Sequence, residues 1–264
     1  MSDYEHLSVE REDAVARVTL ARADARNALN AELIEEIRRS IKELAEDDDV
    51  RVVVLTGEGD FFCAGADIGY MRDMANFSYE ENLEDARNLA AMFGAIEECP
   101  KPVVARVKGA AIGGGVGLVA AADISMAEEG TVFAFTEVRL GISPATIAPF
   151  VLRKIGYSHI RALFLTGERF DAETAREIGL VHEVAAEENL DAAVQEKVER
   201  LLAGGPEALA ATKALLRELR EAEPGEETTE ITARRIAELR TGGEGQEGLG
   251  AFLEKREPAW REEQ

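Results

Sequence analysis

Cysteine and long apolar runs are scarce in this chain of 264 residues. Only two cysteines are present, Cys63 and Cys99, so a disulfide framework is not expected. The cysteines and histidines have no spacing that suits a structural zinc, and the sequence predicts no metal. No basic, apolar leader opens the chain, and no apolar run is long enough to cross a bilayer. These absences predict a soluble, cytoplasmic protein that has no membrane partner. Its length of 264 residues is enough to bury a large core.

Positive charge is also scarce, because 52 acidic residues stand against 30 basic ones and give a formal net charge of −22. Such a surface repels nucleic acid and anionic lipid, so neither is expected as a partner. Only seven of the basic residues are lysines, whereas heat adaptation tends to enrich lysine together with glutamate. We therefore predict a halophilic protein from a salt-rich cytoplasm, where screening relieves self-repulsion. An ordinary acidic enzyme is the alternative.

Glycine, in contrast, is concentrated in one stretch. The apolar run Val103–Val107 predicts a buried strand, and the turn after it contains Gly113, Gly114, Gly115 and Gly117. Without Cβ atoms this turn lets a ligand approach the backbone, and the N–H groups that begin the next helix favour negative charge. A nucleotide phosphate, the oxyanion of a carbonyl compound, or tight packing alone would each explain the turn. Its spacing does not fit the Gly-x-Gly-x-x-Gly turn of a dinucleotide-binding fold.

Two further motifs accompany the glycine turn. Phe62–Ile68 reads Phe-Cys-Ala-Gly-Ala-Asp-Ile, and Phe133–Pro144 contains a Phe-x-x-x-Glu-x-x-Leu-Gly-x-x-Pro pattern. The three motifs, in this order and spacing, resemble the crotonase, or enoyl-CoA hydratase/isomerase, superfamily. The resemblance extends from about Arg22 to Trp260. Within the superfamily the chain is most similar to a hydratase branch associated with methylglutaconyl-CoA and other branched enoyl-CoA substrates.

The resemblance implies an α/β fold with two regions. Residues 1–195 would form a crotonase-like spiral of ββα repeats that holds the CoA and acyl site, and residues 196–264 a helical C-terminal region for trimerisation. The expected partners are an acyl-CoA thioester and further copies of the chain, as a homotrimer or a dimer of trimers. Coenzyme A would enter as part of the substrate, so no separate cofactor is expected.

The resemblance also assigns roles to individual residues. It places two oxyanion-binding backbone N–H groups on Ala64 and Gly114, and a general acid/base on Glu137. Arg22 and Arg26 are expected at the CoA phosphates, although solvated loop arginines are an equally good interpretation. Phe252 and Lys255 would reach the CoA of a neighbouring subunit. The full set of predicted substrate or CoA contacts is Arg22, Arg26, Ala28, Ala66, Asp67, Ile68, Pro144, Phe252 and Lys255.

One departure from the family pattern bears on the reaction. The best-studied hydratases carry a second glutamate at the position that is Gly117 here. One carboxylate suffices to move a proton between Cα and Cγ, whereas hydration also requires a held water, for which Glu137, Ser143 or Thr146 is a candidate. We expect an enoyl-CoA hydratase of fatty-acid or branched-chain acyl-CoA catabolism. A Δ3-Δ2-enoyl-CoA isomerase that uses Glu137 alone, or a catalytically silent CoA-binding scaffold, is the alternative.

Local patterns predict several elements. Asn30 should cap a helix that runs to Leu44 and has one apolar face. Met71–Asn82 is polar, shows no strong period and is expected to be mobile. An apolar helix is expected over Pro144–Ile155, and Gly242–Gly250 is expected to be a flexible link.

Overall fold

The computed structural model describes residues 4–220 and 222–262. Residues 221, 263 and 264, in the predicted C-terminal region, lie outside the described part. The strands in chain order are β1 (Leu7–Glu12), β2 (Val15–Leu20), β3 (Val52–Gly57), β4 (Val103–Val107), β5 (Ala110–Ile112), β6 (Ile124–Glu128), β7 (Val132–Ala134), β8 (Arg169–Asp171) and β9 (Glu183–Ala185). The helices are α1 (Ala31–Glu46), α2 (Ile68–Met74), α3 (Tyr79–Glu98), α4 (Gly114–Ala121), α5 (Ala148–Thr166), α6 (Ala172–Glu177), α7 (Glu187–Leu202), α8 (Pro206–Glu218), α9 (Glu226–Thr241), α10 (Gly243–Glu254) and α11 (Ala259–Glu262).

Six strands form the main sheet in the order β1-β2-β3-β4-β6-β9, and β5-β7-β8 form a smaller one. In the main sheet β1 and β2 are an antiparallel hairpin, and the strands from β2 to β9 run parallel. Every residue of β3 is buried, as expected for an interior strand of a parallel sheet that is covered on both faces. The prediction of an α/β fold is confirmed.

Different helices cover the two faces of the main sheet. Val53 and Leu55 of β3 point into the larger core, which includes the apolar face of α1 and part of α3. Val52 and Val54 point the other way, onto the buried face of α7, which consists of Leu190, Val194, Val198 and Leu202. Because α7 completes the second layer, the predicted boundary at residue 195 falls inside a helix that packs on the sheet.

Asn30 starts α1 as the sequence predicts. Its side-chain oxygen accepts a hydrogen bond from the Leu33 N–H at 3.0 Å, which satisfies one of the free donors at a helix N-terminus. The helix buries Ile34, Ile37, Ile41 and Leu44 on one face. The predicted cap and apolar face of α1 are therefore confirmed.

Most of Met71–Asn82 is helical despite its lack of a strong period, because α2 runs to Met74 and α3 begins at Tyr79, and its mobility stays a prediction. A capping box explains the early start of α3. The Ser78 hydroxyl accepts the Glu81 N–H at 3.3 Å, and the Glu81 carboxylate accepts the Ser78 N–H at 2.7 Å. These two bonds satisfy the end of a helix whose first turns are exposed and show no apolar periodicity.

Two other predicted elements also differ from the structure. The helix expected over Pro144–Ile155 begins only at Ala148 and continues to Thr166 past a kink at Gly156, which has a φ of 74°. The flexible link expected over Gly242–Gly250 is also wrong, because Gly242 is the N-cap of α10 and the rest of the segment lies in that helix. A Cβ at Gly245 would lie 1.9 Å from the Leu239 carbonyl oxygen, so this glycine permits close packing instead of flexibility.

None of the described helices is both long enough and apolar enough to cross a lipid bilayer.

Candidate functional site

The glycine turn joins β5 to α4. Gly113 has a φ of 51°, which glycine adopts without strain, and its N–H donates to the Ala134 carbonyl at 2.9 Å. Gly114 begins α4, and its N–H donates to no acceptor among the described residues. The turn therefore presents a free N–H at the positive end of a helix dipole.

The first motif runs directly beside this turn. The Cys63 N–H donates to the Ala110 carbonyl at 3.1 Å, and the Ile112 N–H donates to the Cys63 carbonyl at 3.0 Å. A Cβ at Gly115 would lie 2.5 Å from the Cys63 carbonyl oxygen, so glycine is required where the two segments meet. The two segments that carry the predicted oxyanion-binding N–H groups are therefore hydrogen-bonded to each other and lie side by side.

The free N–H of the first loop belongs to Ala66, not to Ala64. The Ala64 N–H already donates to the Arg26 carbonyl at 3.0 Å, so the structure contradicts the prediction that it is an available donor. The Gly65 carbonyl accepts the Leu29 N–H at 2.7 Å. Because a trans peptide directs its C=O and N–H to opposite sides, the Ala66 N–H points away from Leu29. It donates to no acceptor in the described part of the chain.

Glu137 begins a 3₁₀ turn, Glu137–Leu140, that lies against the glycine turn. Its Oε1 is 3.0 Å from the position that a Cβ on Gly113 would take. Its Oε2 is buried and has no hydrogen-bond partner among the described residues. Burial raises the pKa of the Glu137 carboxyl above its ordinary value of 4.5, although a hydrogen bond from its own backbone opposes this shift. A carboxyl group with a raised pKa and an unpaired oxygen is suited to exchange a proton with a bound molecule.

Gly117, one turn along α4, has no room for a side chain. A Cβ there would lie 2.4 Å from Ile147 Cγ2 and 2.7 Å from Phe93 Cζ. Phe93 and Ile147 are 0 % and 1 % exposed, so close packing holds both side chains in place. Ser143 is exposed and Thr146 is half-buried on the segment before α5. Apolar side chains thus occupy the space that a second glutamate would need.

The predicted CoA-binding residues of the first loops fall into two groups. Arg22, Ala28 and Asp67 come together, because the Arg22 guanidinium donates to the Ala28 carbonyl and, at 2.9 Å, to the Asp67 carboxylate. Arg26 is exposed, and its guanidinium lies 5.1 Å from the centroid of the Phe61 ring. Of these two arginines, only Arg26 has a guanidinium that is exposed and could contact a phosphate group.

The remaining predicted contacts are spread over the surface and the core. Ile68 is 70 % exposed at the start of α2, and Ala66 beside it is exposed as well. Pro144 is buried. Phe252 and Lys255 are exposed at the end of α10, and their contact with the CoA of a neighbouring subunit stays a prediction.

Sequence reasoning missed three residues that support the site: Asn27, Phe93 and Ile147. Asn27 is fully buried with a φ of 55°, and its side chain donates to the Glu58 carbonyl at 2.9 Å and the Phe61 carbonyl at 2.7 Å. Asparagine tolerates this left-handed conformation better than most residues, which is the one local signal in the sequence. The contacts of Phe93 and Ile147 with Gly117 are long-range and leave no such signal.

A cavity of about 630 Å³ opens beside the first loop, and its lining includes Asn30, Asp67, Tyr70 and Phe77. Ala66, Gly114 and Glu137 are not among its lining residues, so the cavity borders the first loop only at Asp67. Among residues 4–220 and 222–262, no cluster of three or more His, Cys, Asp or Glu side chains is arranged to hold a metal ion.

Comparison with known proteins gives consistent matches. The family model described as enoyl-CoA hydratase/isomerase matches residues 10–263. The enoyl-CoA hydratase ACTT6 of Alternaria alternata is 35% identical over 239 residues, which cover 89% of this chain and 77% of that protein. The crotonyl-CoA hydratase of Syntrophomonas wolfei is 32% identical over 259 residues, 96% of each chain. A crystal structure of an enoyl-CoA hydratase from Shewanella pealeana superposes with a TM-score of 0.95 at 38% identity, over 97% of this chain and 96% of that one.

Proposed function

The chain belongs to the enoyl-CoA hydratase/isomerase family, and on that premise we propose that it adds water across the double bond of a 2-enoyl-CoA thioester. One observation carries the proposal: the Glu137 carboxyl, with a buried and unpaired Oε2, lies against the turn that presents the free Gly114 N–H. A proton-transfer group and an anion-binding group are thus adjacent.

The Ala66 and Gly114 N–H groups would bind the thioester oxygen. Chemistry at Cα and Cβ of a thioester passes through an enolate, so negative charge develops on this oxygen in the transition state. Backbone donors that are oriented beforehand stabilise that charge by on the order of 3 kcal/mol each. In this proposal Ala66 takes the role that the sequence assigned to Ala64, because its N–H is the one without an acceptor.

Glu137 would carry the proton. In the hydration direction the oxygen of water forms a bond to Cβ, the double-bond electrons move into the enolate, and the Glu137 carboxyl donates a proton to Cα. The proton that the water loses returns the carboxylate to its acid form. The raised pKa of Glu137 keeps the acid form accessible nearer neutral pH than for an exposed glutamate.

Isomerisation of a 3-enoyl to a 2-enoyl thioester is the second candidate. Gly117 favours it, because Phe93 and Ile147 fill the place of a second carboxylate and Glu137 alone can move a proton between Cα and Cγ. Incubation with straight and branched enoyl-CoA thioesters in heavy-oxygen water separates the two reactions. Oxygen incorporation supports hydration, whereas double-bond migration without incorporation supports the isomerase.

Glu137→Gln tests the role of the carboxyl group in either reaction. The variant keeps the shape and removes the proton exchange, so kcat should fall by roughly two to four orders of magnitude while CoA affinity stays nearly unchanged. Stopped-flow turnover and calorimetric titration with CoA measure the two quantities. Wild-type turnover in the variant would show that Glu137 is not the acid. A wild-type protein that binds CoA but converts no thioester would support the silent scaffold.

A further inference from the structure

The Arg22 guanidinium is already committed within the protein, although the family resemblance suggests it for the CoA phosphates. Its Nη2 donates to Asp67 Oδ2 at 2.9 Å, and its Nη1 donates to the Ala28 carbonyl. The two side chains of the ion pair are only 17 % and 19 % exposed. A phosphate would have to compete with a carboxylate that is partly shielded from water.

The bond to the Ala28 carbonyl connects Arg22 to the Ala66 N–H through two peptide units. The Ala28 carbonyl that accepts from Arg22 belongs to the same planar peptide as the Leu29 N–H. That N–H donates at 2.7 Å to the Gly65 carbonyl, which shares its peptide with the Ala66 N–H. Each hydrogen bond in such a chain polarises the next one, and a cation at the start strengthens the donor at the end.

The ion pair with Asp67 fixes the same segment from its other side. Asp67 Oδ1 accepts the Gly69 N–H at 2.8 Å and the Tyr70 N–H at 3.2 Å, so the carboxylate also caps α2. The Asp67 N–H donates to the Leu29 carbonyl at 2.9 Å. The Ala66 residue is therefore held between two anchored neighbours.

The base of the Arg22 side chain is rigid as well. The Arg22 N–H donates to Asn27 Oδ1 at 2.9 Å, and Asn27 is fully buried and bonded to two further carbonyls. These contacts fix the Arg22 backbone, from which the guanidinium extends toward the Ala28 carbonyl.

We propose that Arg22 is a positioning residue that orients and polarises the Ala66 N–H toward the thioester oxygen, and does not bind the CoA phosphates. This inference rests on the proposed function, because it assigns the Ala66 N–H to the oxyanion. A displacement of about 1 Å at a reacting group can cost on the order of a hundredfold in rate.

Three variants test the proposal: Arg22→Met, Asp67→Asn and the double variant. Asparagine at position 67 keeps an oxygen for the Gly69 and Tyr70 N–H groups but loses the charge that pairs with Arg22. Arg176→Met is the matched control, because Arg176 pairs with Glu173 at an exposed site on α6. For each protein three quantities are measured: kcat, the Kd for free CoA, and the absorption shift of a bound aryl-acryloyl-CoA, which reports polarisation of the thioester carbonyl.

Arg22→Met and Asp67→Asn should each lower kcat by about 10- to 100-fold and reduce the absorption shift, while the Kd for CoA changes less than about twofold. The double variant should lose about as much as Arg22→Met alone, because the Asp67 carboxylate acts by holding the Arg22 guanidinium against the Ala28 carbonyl. Arg176→Met should behave as wild type in all three measurements.

A different pattern overturns the proposal. If Arg22→Met weakens CoA binding tenfold or more and leaves the absorption shift intact, Arg22 binds phosphate instead. If Arg22→Met does not fold, Asp67→Asn decides, and a wild-type absorption shift in that variant contradicts the proposed role. A wild-type protein that polarises the bound thioester but never adds water contradicts only the hydratase proposal.

Discussion

At the scale of single residues, Glu137 combines a buried, unpaired oxygen with a raised pKa. An acid whose pKa is higher in the folded than in the unfolded state contributes stability that is present at low pH. That contribution is lost as the pH rises through the folded pKa, because the folded protein must then bury an unpaired charge. Such a cost at neutral pH is expected where function, and not stability, requires the side chain.

Glu137→Gln should therefore stabilise the fold at neutral pH, although the same substitution is expected to lower kcat. The difference in melting temperature between the variant and wild type should be small near pH 4, below the ordinary glutamate value of 4.5. It should grow with pH until the folded pKa has been passed and then remain constant. Thermal melts of both proteins across the pH range measure this difference. A difference that is independent of pH would mean that the carboxyl group is not desolvated.

A carboxylate added at Gly117 is expected to destabilise the fold, in contrast to the removal of the Glu137 carboxyl group. Since its Cβ position lies 2.4 Å from Ile147 Cγ2 and 2.7 Å from Phe93 Cζ, Gly117→Ala should already destabilise the fold by about 1–3 kcal/mol. Gly117→Glu should cost more than that and should not raise hydration of a short enoyl-CoA. Urea unfolding and turnover assays measure both effects. A stable Gly117→Glu protein with faster hydration would show that Phe93 and Ile147 can move aside.

At the scale of elements, sequence patterns succeeded where the signal is local. The β-branched run of β4 and the Asn30 cap of α1 need no knowledge of distant residues, and both are confirmed. The three site motifs were likewise recognised from their order. Which N–H of the first loop stays free was not predictable locally, because it depends on how Arg26 and Leu29 pair with that loop. Likewise, local sequence does not reveal that Phe93 and Ile147, which are distant in sequence, occupy the space beside Gly117.

The C-terminal glycines show why α10 was mistaken for a flexible link. Glycine raises backbone freedom in a helix, but it also permits contacts that a Cβ would block. In α10 the close contacts are more important at two glycines. Gly245 packs against the Leu239 carbonyl, and a Cβ at Gly248 would lie 2.9 Å from the Trp260 ring. Sequence alone does not distinguish these two uses of glycine.

Alanine substitutions in α10 separate the two uses. Gly245→Ala should destabilise the fold by about 1–3 kcal/mol, because its Cβ position lies 1.9 Å from the Leu239 carbonyl oxygen. Gly250→Ala is the matched control, since the nearest atom to its Cβ position, Arg256 Nη2, is 3.9 Å away. This control should stabilise the helix by about 0.5–1 kcal/mol. Denaturant unfolding measures both, and stabilisation by both substitutions would support a flexible link after all.

At the scale of the whole molecule, an exposed apolar face on α10 accompanies the large negative charge. Leu249, Phe252 and Leu253 are 50 %, 81 % and 79 % exposed, and exposed apolar side chains grouped on one helix are typical of a surface that a partner covers. Assembly through the C-terminal helices would cover them, and it stays a prediction. Assembly would bring further negative charge together, so repulsion opposes the contact unless salt screens it.

Salt also screens the attraction within ion pairs, but the stability lost in this way is small. Several of them join exposed neighbours on one helix, such as Arg234 with Glu230, whose side chains are 68 % and 69 % exposed. Each exposed pair contributes about 0–1 kcal/mol, and salt removes only part of that. The repulsion among the uncompensated charges of a chain with a net charge of −22 is spread over the whole surface. We therefore expect screening of repulsion to dominate over screening of attraction.

Stability and activity should consequently rise as KCl is taken from a few tenths molar to molar concentration. Melting temperature and turnover across this series measure the effect. Concentrated salts also strengthen apolar burial in general, so a charge-reduced variant isolates the electrostatic part. Glutamine in place of the exposed Glu10, Glu129 and Glu168 removes charges without touching the site. The variant should be more stable than wild type at low salt and gain less from KCl. A flat or falling profile in the wild type would contradict the halophile prediction, and family membership would be unaffected.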